Sequence, residues 1–269
     1  MTKKILTIGG SDPFSGGGIQ TDLKTFENFR LFGLSALTCI ATAQGNQFQV
    51  HNLSAKLLES QLASLPKASL AGVKIGLIHN IQSISVIRSF LIKQPDLPIV
   101  LDPVFVFKES ASRYEKEYIA ALSNELFPLA TVITPNLKEA ELLTKRQLTT
   151  IDDVQAGAEQ LYEMGASSVV IKGGNRLAGD KAVDNFYDGK RHRLYSKPKQ
   201  QVKTINGAGC GFSSAIAAGL VLGEELTSAI TNAKQYISES ITSGVTIDSE
   251  FGSVWYGGKM MEIEEGEPK

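Results

Sequence analysis

Apolar segments of strand length alternate along this chain with longer amphipathic segments, and this alternation most strongly limits the folds that the chain can adopt. The first cycle runs from Ile5 to Ile8 and then from Ile19 to Leu31. Later predicted strands span residues 34–43, 73–78, 99–102, 131–134 and 168–172, and later predicted helices span 53–65, 81–92, 114–126, 137–143 and 152–164. Continuous apolar strands separated by helices are typical of parallel sheets buried on both faces. The sequence therefore predicts an α/β fold, a three-layer α/β/α sandwich with a mostly parallel central sheet.

The C-terminal part departs from this pattern. Asp188 and Gly189 lie between two strand-like segments, 182–187 and 191–196, and this dipeptide favours a tight type I′ hairpin turn. We therefore predict a small antiparallel section there. The last two predicted helices span about 208–222 and 224–243. No linker, internal repeat or change of composition divides the 269 residues, so we expect a single domain, 1–269.

The charge balance narrows the classes of partner. The chain has 27 Lys and Arg residues against 28 Asp and Glu residues, a formal net charge of -1 at pH 7. It therefore has no global positive field to hold a nucleic acid or an anionic membrane, and a small molecule is the expected partner. Cys39 and Cys210 are the only cysteines, and no segment is apolar enough for a leader or a membrane span. These features predict a cytoplasmic protein in a reducing compartment.

A glycine-rich loop, residues 9–18, follows the first predicted strand. Glycines allow the backbone to approach a small molecule closely, and loops at the carboxyl ends of parallel strands face the ligand crevice. Asp12 in this loop and Asp22 just after it carry carboxylates that can orient ring nitrogens and hydroxyls. The GxGxxG spacing of a dinucleotide site is absent. The alternative to a ligand site is a flexible tight turn.

The segment NGAGCG, residues 206–211, precedes a late apolar helix. The unpaired amides and the positive dipole end of a helix N-terminus attract anions, so Gly207, Ala208 and Gly209 form a predicted anion hole. Cys210 lies in the first turn, where the helix dipole favours a thiolate, and is a candidate base or nucleophile. The alternative is capping by small residues that allow close helix packing.

Three more segments place polar residues at the ends of predicted strands. Asn136 and Glu139 have the spacing of a capping box, but they are also suited to hold magnesium-bound water near a triphosphate. Lys172 is either a phosphate contact or a solvated strand end. Asp102 follows a buried strand and can face a metal. The polar segment 108–117 is either a lid over the crevice or a solvated loop.

The order and separation of these motifs resemble the ribokinase-like superfamily. The most specific stretches are GIQTDLKTF, residues 18–26, and VITPNLKEAELL, residues 132–143. Together with NGAGC they resemble the vitamin-kinase branch, which contains hydroxymethylpyrimidine (phosphate) kinases and the bacterial pyridoxal kinases similar to them. The resemblance extends from Ile5 to about Tyr256. It implies ATP and Mg²⁺ as co-substrates, a hydroxymethyl group on a pyridine or pyrimidine ring as the phosphoryl acceptor, and a homodimer.

The resemblance also implies roles for single residues. Cys210 occupies the position of the catalytic base, which is an aspartate in the sugar and nucleoside kinases of the superfamily. The implied anion hole is Gly207, Ala208 and Gly209, and the implied substrate contacts are Gly10, Asp12, Asp22, Gln44, Phe107 and Lys108. The implied ATP contacts are Asn136, Glu139, Lys172 and Gly174, and the implied metal ligands, partly through water, are Asp102 and Glu139.

Some sequence features resemble kinases that act on vitamin B6, and one resembles kinases that act on a pyrimidine. FSGGG at 14–18, KGGNRL at 172–177 and YDG at 187–189 resemble the pyridoxine and pyridoxal kinases, whereas Gln44 resembles the pyrimidine kinases. Phe107 stands where some pyridoxal kinases have a lid cysteine, so a two-cysteine proton relay is not expected. We predict an ATP-dependent pyridoxal (pyridoxine) kinase, with a hydroxymethylpyrimidine or hydroxymethylpyrimidine phosphate kinase as the alternative. A sugar kinase on the same fold is less compatible with Cys210, and a ligand sensor without turnover would not require it.

Overall fold

A computed structural model describes residues 2–44, 47–65, 70–94, 96–105, 113–248 and 251–257. Its strands are β1 (Lys4–Ser11), β2 (Phe32–Gln44), β3 (Gln47–Asn52), β4 (Leu70–Ile75), β5 (Ile99–Leu101), β6 (Val132–Ile133), β7 (Val169–Lys172), β8 (Lys181–Tyr187), β9 (His192–Pro198), β10 (Val245–Thr246) and β11 (Gly252–Ser253). Its α-helices are α1 (Gly18–Asn28), α2 (Ala55–Ala63), α3 (Ile81–Leu91), α4 (Arg113–Glu125), α5 (Leu137–Thr144), α6 (Ile151–Glu163), α7 (Ala208–Leu222) and α8 (Leu226–Thr242).

The central sheet has the order β3-β2-β1-β4-β5-β6-β7-β8-β9 in the described part of the chain. All neighbours from β2 to β7 pair in parallel. β3 pairs antiparallel with β2 at one edge, and β8 and β9 add two antiparallel strands at the other. The predicted mostly parallel sheet with a small antiparallel section is confirmed.

Helices cover both faces of this sheet because successive side chains of a buried strand point to opposite faces. Leu6 of β1 belongs to the core under α2 to α6, whereas its neighbour Ile5 belongs to the core under α1, α7 and α8. α7 is buried from Gly211 to Gly219, so this helix lies in the protein interior rather than on its surface. The predicted three layers are therefore present. No helix among the described residues combines the length and the hydropathy needed to cross a membrane.

Three details differ from the sequence-based expectations. The segment QFQVHN forms β3, which its mostly polar composition does not predict. The type I′ turn is wrong, because four residues, 188–191, separate the paired Tyr187 and His192. The carboxylate of Asp188 organises this longer loop by accepting hydrogen bonds from two of its backbone amides. Of the predicted lid, residues 113–117 begin α4 instead of continuing a loop, and residues 108–112 lie outside the described ranges, so the lid stays a prediction.

Candidate active site

The carboxyl ends of β1, β5, β6 and β7 meet the N-terminus of α7 at one edge of the sheet. Gly207 precedes α7 with a φ of 86°, which is the left-handed conformation that favours glycine. A Cβ on Gly207 would overlap the carbonyl oxygen of Gly16. The glycine-rich loop and the start of α7 are thus in direct backbone contact, which brings the first two predicted motifs together.

The amides at the start of α7 form a smaller anion site than the sequence predicts. The amide of Gly211 donates to the carbonyl of Gly207 at 2.8 Å, and that of Ala208 donates to Ile205 at 3.2 Å. Ala208 therefore does not offer a free amide to an anion, which corrects its predicted role. The amides of Gly209 and Cys210 have no protein acceptor in the described part of the chain. No side chain caps this helix, so its positive dipole end is open to a ligand.

Cys210 faces the glycine-rich loop. A Cβ on Gly17 would lie 3.8 Å from Cys210 Sγ and 3.9 Å from Asp12 Oδ2. Burial raises the pKa of the Cys210 thiol to about 11, although the positive charge of Lys74 acts in the opposite direction. The expected lowering by the helix dipole is therefore wrong, because desolvation of the thiolate outweighs the favourable charges.

Charges of alternating sign cross the sheet from α1 to α8. They form three ion pairs whose shortest oxygen-to-nitrogen distances are between 2.6 and 2.8 Å. The carboxylate and lysine of each pair are mostly buried, and the three pairs have no net charge. We call this set the charged row; its members in order are Asp22, Lys74, Asp102, Lys172, Asp184 and Lys234.

Asp22 is fully buried at one end of the charged row. Its carboxylate accepts hydrogen bonds from Lys74 Nζ at 2.8 and 2.9 Å, from Thr7 Oγ1 at 2.6 Å and from Ser214 Oγ at 2.6 Å. The implied contact between Asp22 and a substrate ring is wrong, because this carboxylate has no exposed surface. Lys74 was not predicted as a site residue. Its sequence signal is a lysine inside an otherwise apolar strand segment.

Lys172 joins the charged row to the anion site. Its Nζ lies 2.6 Å from Asp102 Oδ1, and a Cβ on Gly209 would lie 3.4 Å from the same nitrogen. Ser213 Oγ of α7 lies 3.0 Å from the other oxygen of Asp102. Burial acts to lower the pKa of Lys172, but the carboxylates of Asp102 and Glu139 outweigh it and raise this pKa, so the side chain carries its charge beside the free amides.

Asn136 and Glu139 form the capping box of α5. The side chain of Asn136 accepts from the amide of Glu139 at 3.0 Å, and Glu139 Oε2 accepts from the amide of Asn136 at 2.7 Å. Burial, and to a lesser extent the charge of Asp102, raises the pKa of Glu139 to about 7, while Lys172 lowers it. The motif therefore forms the predicted capping box. Glu139 also interacts electrostatically with Lys172, which lies beside the anion site.

Asp102 and Glu139 fit magnesium only as outer ligands. No group of three or more His, Cys, Asp and Glu side chains among the described residues is arranged to hold a metal ion. The oxygens of Asp102 already contact Lys172 and Ser213. Two neighbouring carboxylates that repel each other nevertheless favour a cation, and Mg²⁺ usually keeps several waters while using one or two carboxylates and phosphate oxygens. The donor set therefore fits a water-mediated magnesium ion.

A cavity of about 500 Å³ opens beside the anion site, a size typical of small-molecule sites. The predicted residues that line it are Asn136, Lys172, Gly174, Ala208 and Gly209. Sequence reasoning missed its far wall, to which β8, β9, α7, α8 and the segment between β9 and α7 contribute residues. The polar members of that wall include Asp184, Lys197, Gln200, Lys234 and Ser238, and the apolar members include Ile205, Phe212, Ile237 and Ile241.

The remaining predicted substrate contacts have varied positions. Gly10 is buried, and a Cβ there would lie 2.8 Å from Cys39 Sγ. Asp12 accepts hydrogen bonds from the amides of Phe14 and Gly17, each at 3.0 Å, and so shapes the glycine-rich loop. Gln44 ends β2, and its side chain is not among those that the structure describes. Phe107 and Lys108 lie outside the described residues.

The fold and the site together define a ribokinase-like kinase, in which an open helix N-terminus with an adjacent lysine lies between a cavity and a thiol. A family model described as phosphomethylpyrimidine kinase matches residues 12–255. The chain therefore belongs to the phosphomethylpyrimidine kinase family and to the vitamin-kinase branch that its resemblance indicates.

The relatives in this family include both pyrimidine kinases and pyridoxal kinases. The chain is 37% identical to the hydroxymethylpyrimidine/phosphomethylpyrimidine kinase of Haemophilus influenzae, over 93% of this chain and 95% of that protein. The pyridoxal kinase of Staphylococcus aureus, solved in complex with AMP-PCP and pyridoxal, is 32% identical with a TM-score of 0.90, over 96% of this chain and 95% of that one. A phosphomethylpyrimidine kinase from Clostridium difficile is 32% identical with a TM-score of 0.74, over 88% of this chain and 99% of that one.

Proposed function

We propose that this kinase transfers the γ-phosphoryl group of ATP to the hydroxymethyl group of pyridoxal, pyridoxine or pyridoxamine. One observation carries the choice of substrate. At the same sequence identity of 32%, the backbone agrees with the pyridoxal kinase at a TM-score of 0.90 and with the phosphomethylpyrimidine kinase at 0.74. Identity is equal, and the first comparison covers 96% of this chain against 88% for the second, so the backbone agrees over a longer part of the chain with the pyridoxal kinase. This closer agreement supports the choice of a B6 vitamer.

ATP is the proposed phosphoryl donor, and the cavity is its proposed site. The apolar residues of the far wall suit a nucleobase, and Lys197 and Lys234 add positive charge to the lining. The triphosphate would end at Lys172 and at the free amides of Gly209 and Cys210, because these are the anion-binding groups between the cavity and the thiol. The AMP-PCP complex of the similar S. aureus enzyme supports this assignment.

The transfer is an in-line displacement in which the site positions the reactants and stabilises charge. The alcohol oxygen bonds to the γ-phosphorus, and the bond from that phosphorus to the β,γ-bridging oxygen breaks, so ADP leaves with the electron pair. Cys210, as its thiolate, accepts the alcohol proton. Lys172 and the two free amides stabilise the negative charge on the transferring group. Magnesium bound near Asp102 and Glu139 would neutralise phosphate charge.

Hydroxymethylpyrimidine or its phosphate is the second candidate acceptor. The relative in H. influenzae, at 37% identity, has this activity in its name, and the matching family model is described by it. Gln44, at the end of β2, is the residue that resembles the pyrimidine kinases. Both candidates present a hydroxymethyl group on an aromatic nitrogen ring, so the same phosphoryl-transfer groups would serve either one.

An ADP-release assay tests the proposal. Purified protein with magnesium and ATP is given pyridoxal, pyridoxine, pyridoxamine, hydroxymethylpyrimidine or hydroxymethylpyrimidine phosphate at matched concentrations. We expect a B6 vitamer to give the largest kcat/KM. A larger value for a pyrimidine would transfer the assignment to the second candidate. ADP release that responds to none of these acceptors would overturn the vitamin-kinase proposal and favour a ligand sensor.

A further inference from the structure

Two helices hold the Asp22–Lys74 pair at a fixed place relative to Cys210. Gly18 and Asp22 lie one helical turn apart on α1, and Cys210 and Ser214 lie one turn apart on α7. Gly18 is among the groups that act on the Cys210 thiol, and Ser214 Oγ donates to Asp22 Oδ1 at 2.6 Å. The ion pair is therefore about one helical turn, roughly 5.4 Å along the axis, below the thiol.

Lys74 is a buried cation whose ammonium group is held in place by Asp22. Its side chain has no exposed surface, and its Nζ donates to both oxygens of Asp22. Burial acts to lower the pKa of Lys74, but Asp22 and the other acidic groups around it outweigh burial and raise this pKa, so the ammonium form is retained. In a medium of low dielectric constant, such a charge acts on its neighbours more strongly than a charge in water.

The phosphoryl transfer described above does not use this pair, which contacts neither the cavity nor the free amides. We propose that Lys74, held in place by Asp22, is a positioning residue whose positive charge favours the thiolate form of Cys210. The role of Cys210 as base rests on the proposed function, whereas the effect of Lys74 on its thiol does not.

The charges that face Cys210 come from every element packed around it. Lys74 of β4 and Lys172 of β7 favour the thiolate, while Asp22 of α1 and Asp102 after β5 oppose it, and Tyr256 interacts with the thiol from the C-terminal segment. Lys74 and its partner Asp22 act on the thiol in opposite directions. The inference is that the ammonium has the larger effect, so that the pair as a whole favours the thiolate.

Alkylation of Cys210 by iodoacetamide tests the inference without any need for turnover. The rate at Cys210 is followed from pH 7 to 10 by mass spectrometry of its peptide, which separates it from Cys39. The test variants are Lys74→Met and the charge-neutral double variant Asp22→Asn/Lys74→Met, which leaves no unpaired buried carboxylate. We expect both to slow alkylation at pH 8, Lys74→Met by about tenfold or more, because each unit of pKa changes the thiolate fraction about tenfold below the pKa. Alkylation of Cys210 should be at least as slow in Lys74→Met as in the double variant, because the single variant keeps the negative charge of Asp22.

Lys234→Met is the matched control, because it neutralises a lysine of the charged row that pairs with Asp184 on the other side of the cavity. Its alkylation profile should coincide with that of the wild-type protein. If the folded double variant had the same pH profile of Cys210 alkylation as the wild-type protein, the inference would be overturned. A shift of that profile in Lys234→Met as large as the shift in the double variant would also overturn it. If Lys74→Met does not fold, the double variant carries the test.

Kinetics with pyridoxal add a second readout. The double variant should lose kcat/KM at pH 7 and regain part of it near pH 9.5, with KM for ATP unchanged. An equal loss at every pH would assign the pair a structural role only. A wild-type protein without kinase activity would refute the proposed function, and the alkylation result would still decide the effect of Lys74 on the thiol.

Discussion

Cys210 is the residue at which burial and charge compete most directly. Its position in the first turn of α7 and the nearby Lys74 favour the thiolate, yet burial raises the pKa of this thiol to about 11. At neutral pH the thiol form therefore predominates. A base that is mostly protonated limits the rate in proportion to its small deprotonated fraction, and that fraction grows with pH.

The first prediction concerns the pH dependence of the reaction. The kcat/KM for the alcohol substrate should rise with pH from 7 toward 9.5, because each step in pH increases the thiolate fraction of Cys210. Cys210→Ala should lower kcat/KM by about 10²–10⁴, the usual contribution of a general base, and should flatten the rise. ADP release measured across this pH range checks both. A variant with the same slope as the wild-type enzyme would show that another group accepts the proton.

The second prediction concerns Glu139 and stability. Its pKa in the folded protein is about 7, above the ordinary value of 4.5. Between these two values the folded state binds more protons than the unfolded state, so this residue makes the protein less stable as pH rises through that window. Glu139→Gln removes the effect. The free energy of unfolding of the variant relative to wild type should increase by about 1–3 kcal/mol from pH 4.5 to pH 7.5.

Urea unfolding of both proteins at the two pH values, with EDTA present, measures this difference. A relative stability that stays constant between the two pH values would mean that the pKa of Glu139 is not raised in the folded protein.

At the scale of elements, the contact between the glycine-rich loop and α7 gives a third prediction. Gly207→Ala would place a Cβ against the carbonyl oxygen of Gly16, which is backbone and cannot rotate away. Gly174 also has a positive φ, 52°, but nothing lies within 4 Å of a Cβ there. Gly174→Ala should therefore cost only the conformational strain of roughly 1–2 kcal/mol, and Gly207→Ala distinctly more. Urea unfolding compares the two, and equal losses would contradict the close backbone contact.

The sequence predicts these elements well where local pattern decides them. Parallel strands buried on both faces are continuous apolar segments, and the helices between them have a clear amphipathic period. β3 escapes because its short segment QFQVHN alternates polar and apolar residues and so lacks the continuous apolar pattern of the buried parallel strands. The role of Asp22 is not predicted for another reason. Its four hydrogen bonds come from β1, β4 and α7, and a local sequence pattern does not indicate partners so far away along the chain.

The site follows the same division. Strand ends and a glycine-rich helix start identify Lys172, Gly209 and Cys210, because the order of elements alone brings them to one edge of the sheet. The far wall of the cavity depends on how α8 packs against β9, and Lys234 resembles any surface lysine in the sequence. The sign of the pKa shift of Cys210 depends on burial, which the helix position does not reveal.

For the whole molecule, the two hydrophobic cores lie on opposite faces of one sheet and share its strands. We therefore predict a single domain that unfolds in one cooperative transition. The far-ultraviolet circular dichroism signal and the fluorescence of Trp255 should change at the same urea concentration. Two separated transitions would show that the layers unfold independently. The homodimer implied by the resemblance stays a prediction, which light scattering tests.

The charged row also constrains how this chain can change over evolutionary time. A mutation that neutralises one member leaves its partner charged and buried, which costs about 3–5 kcal/mol, a large part of the stability of an ordinary protein. The partners are separated by 52, 70 and 50 residues, so no local change in the gene replaces both at once. Substitutions at positions 22 and 74, 102 and 172, and 184 and 234 should therefore be inherited as matched pairs, and descendants that have changed only one position of a pair should be rare.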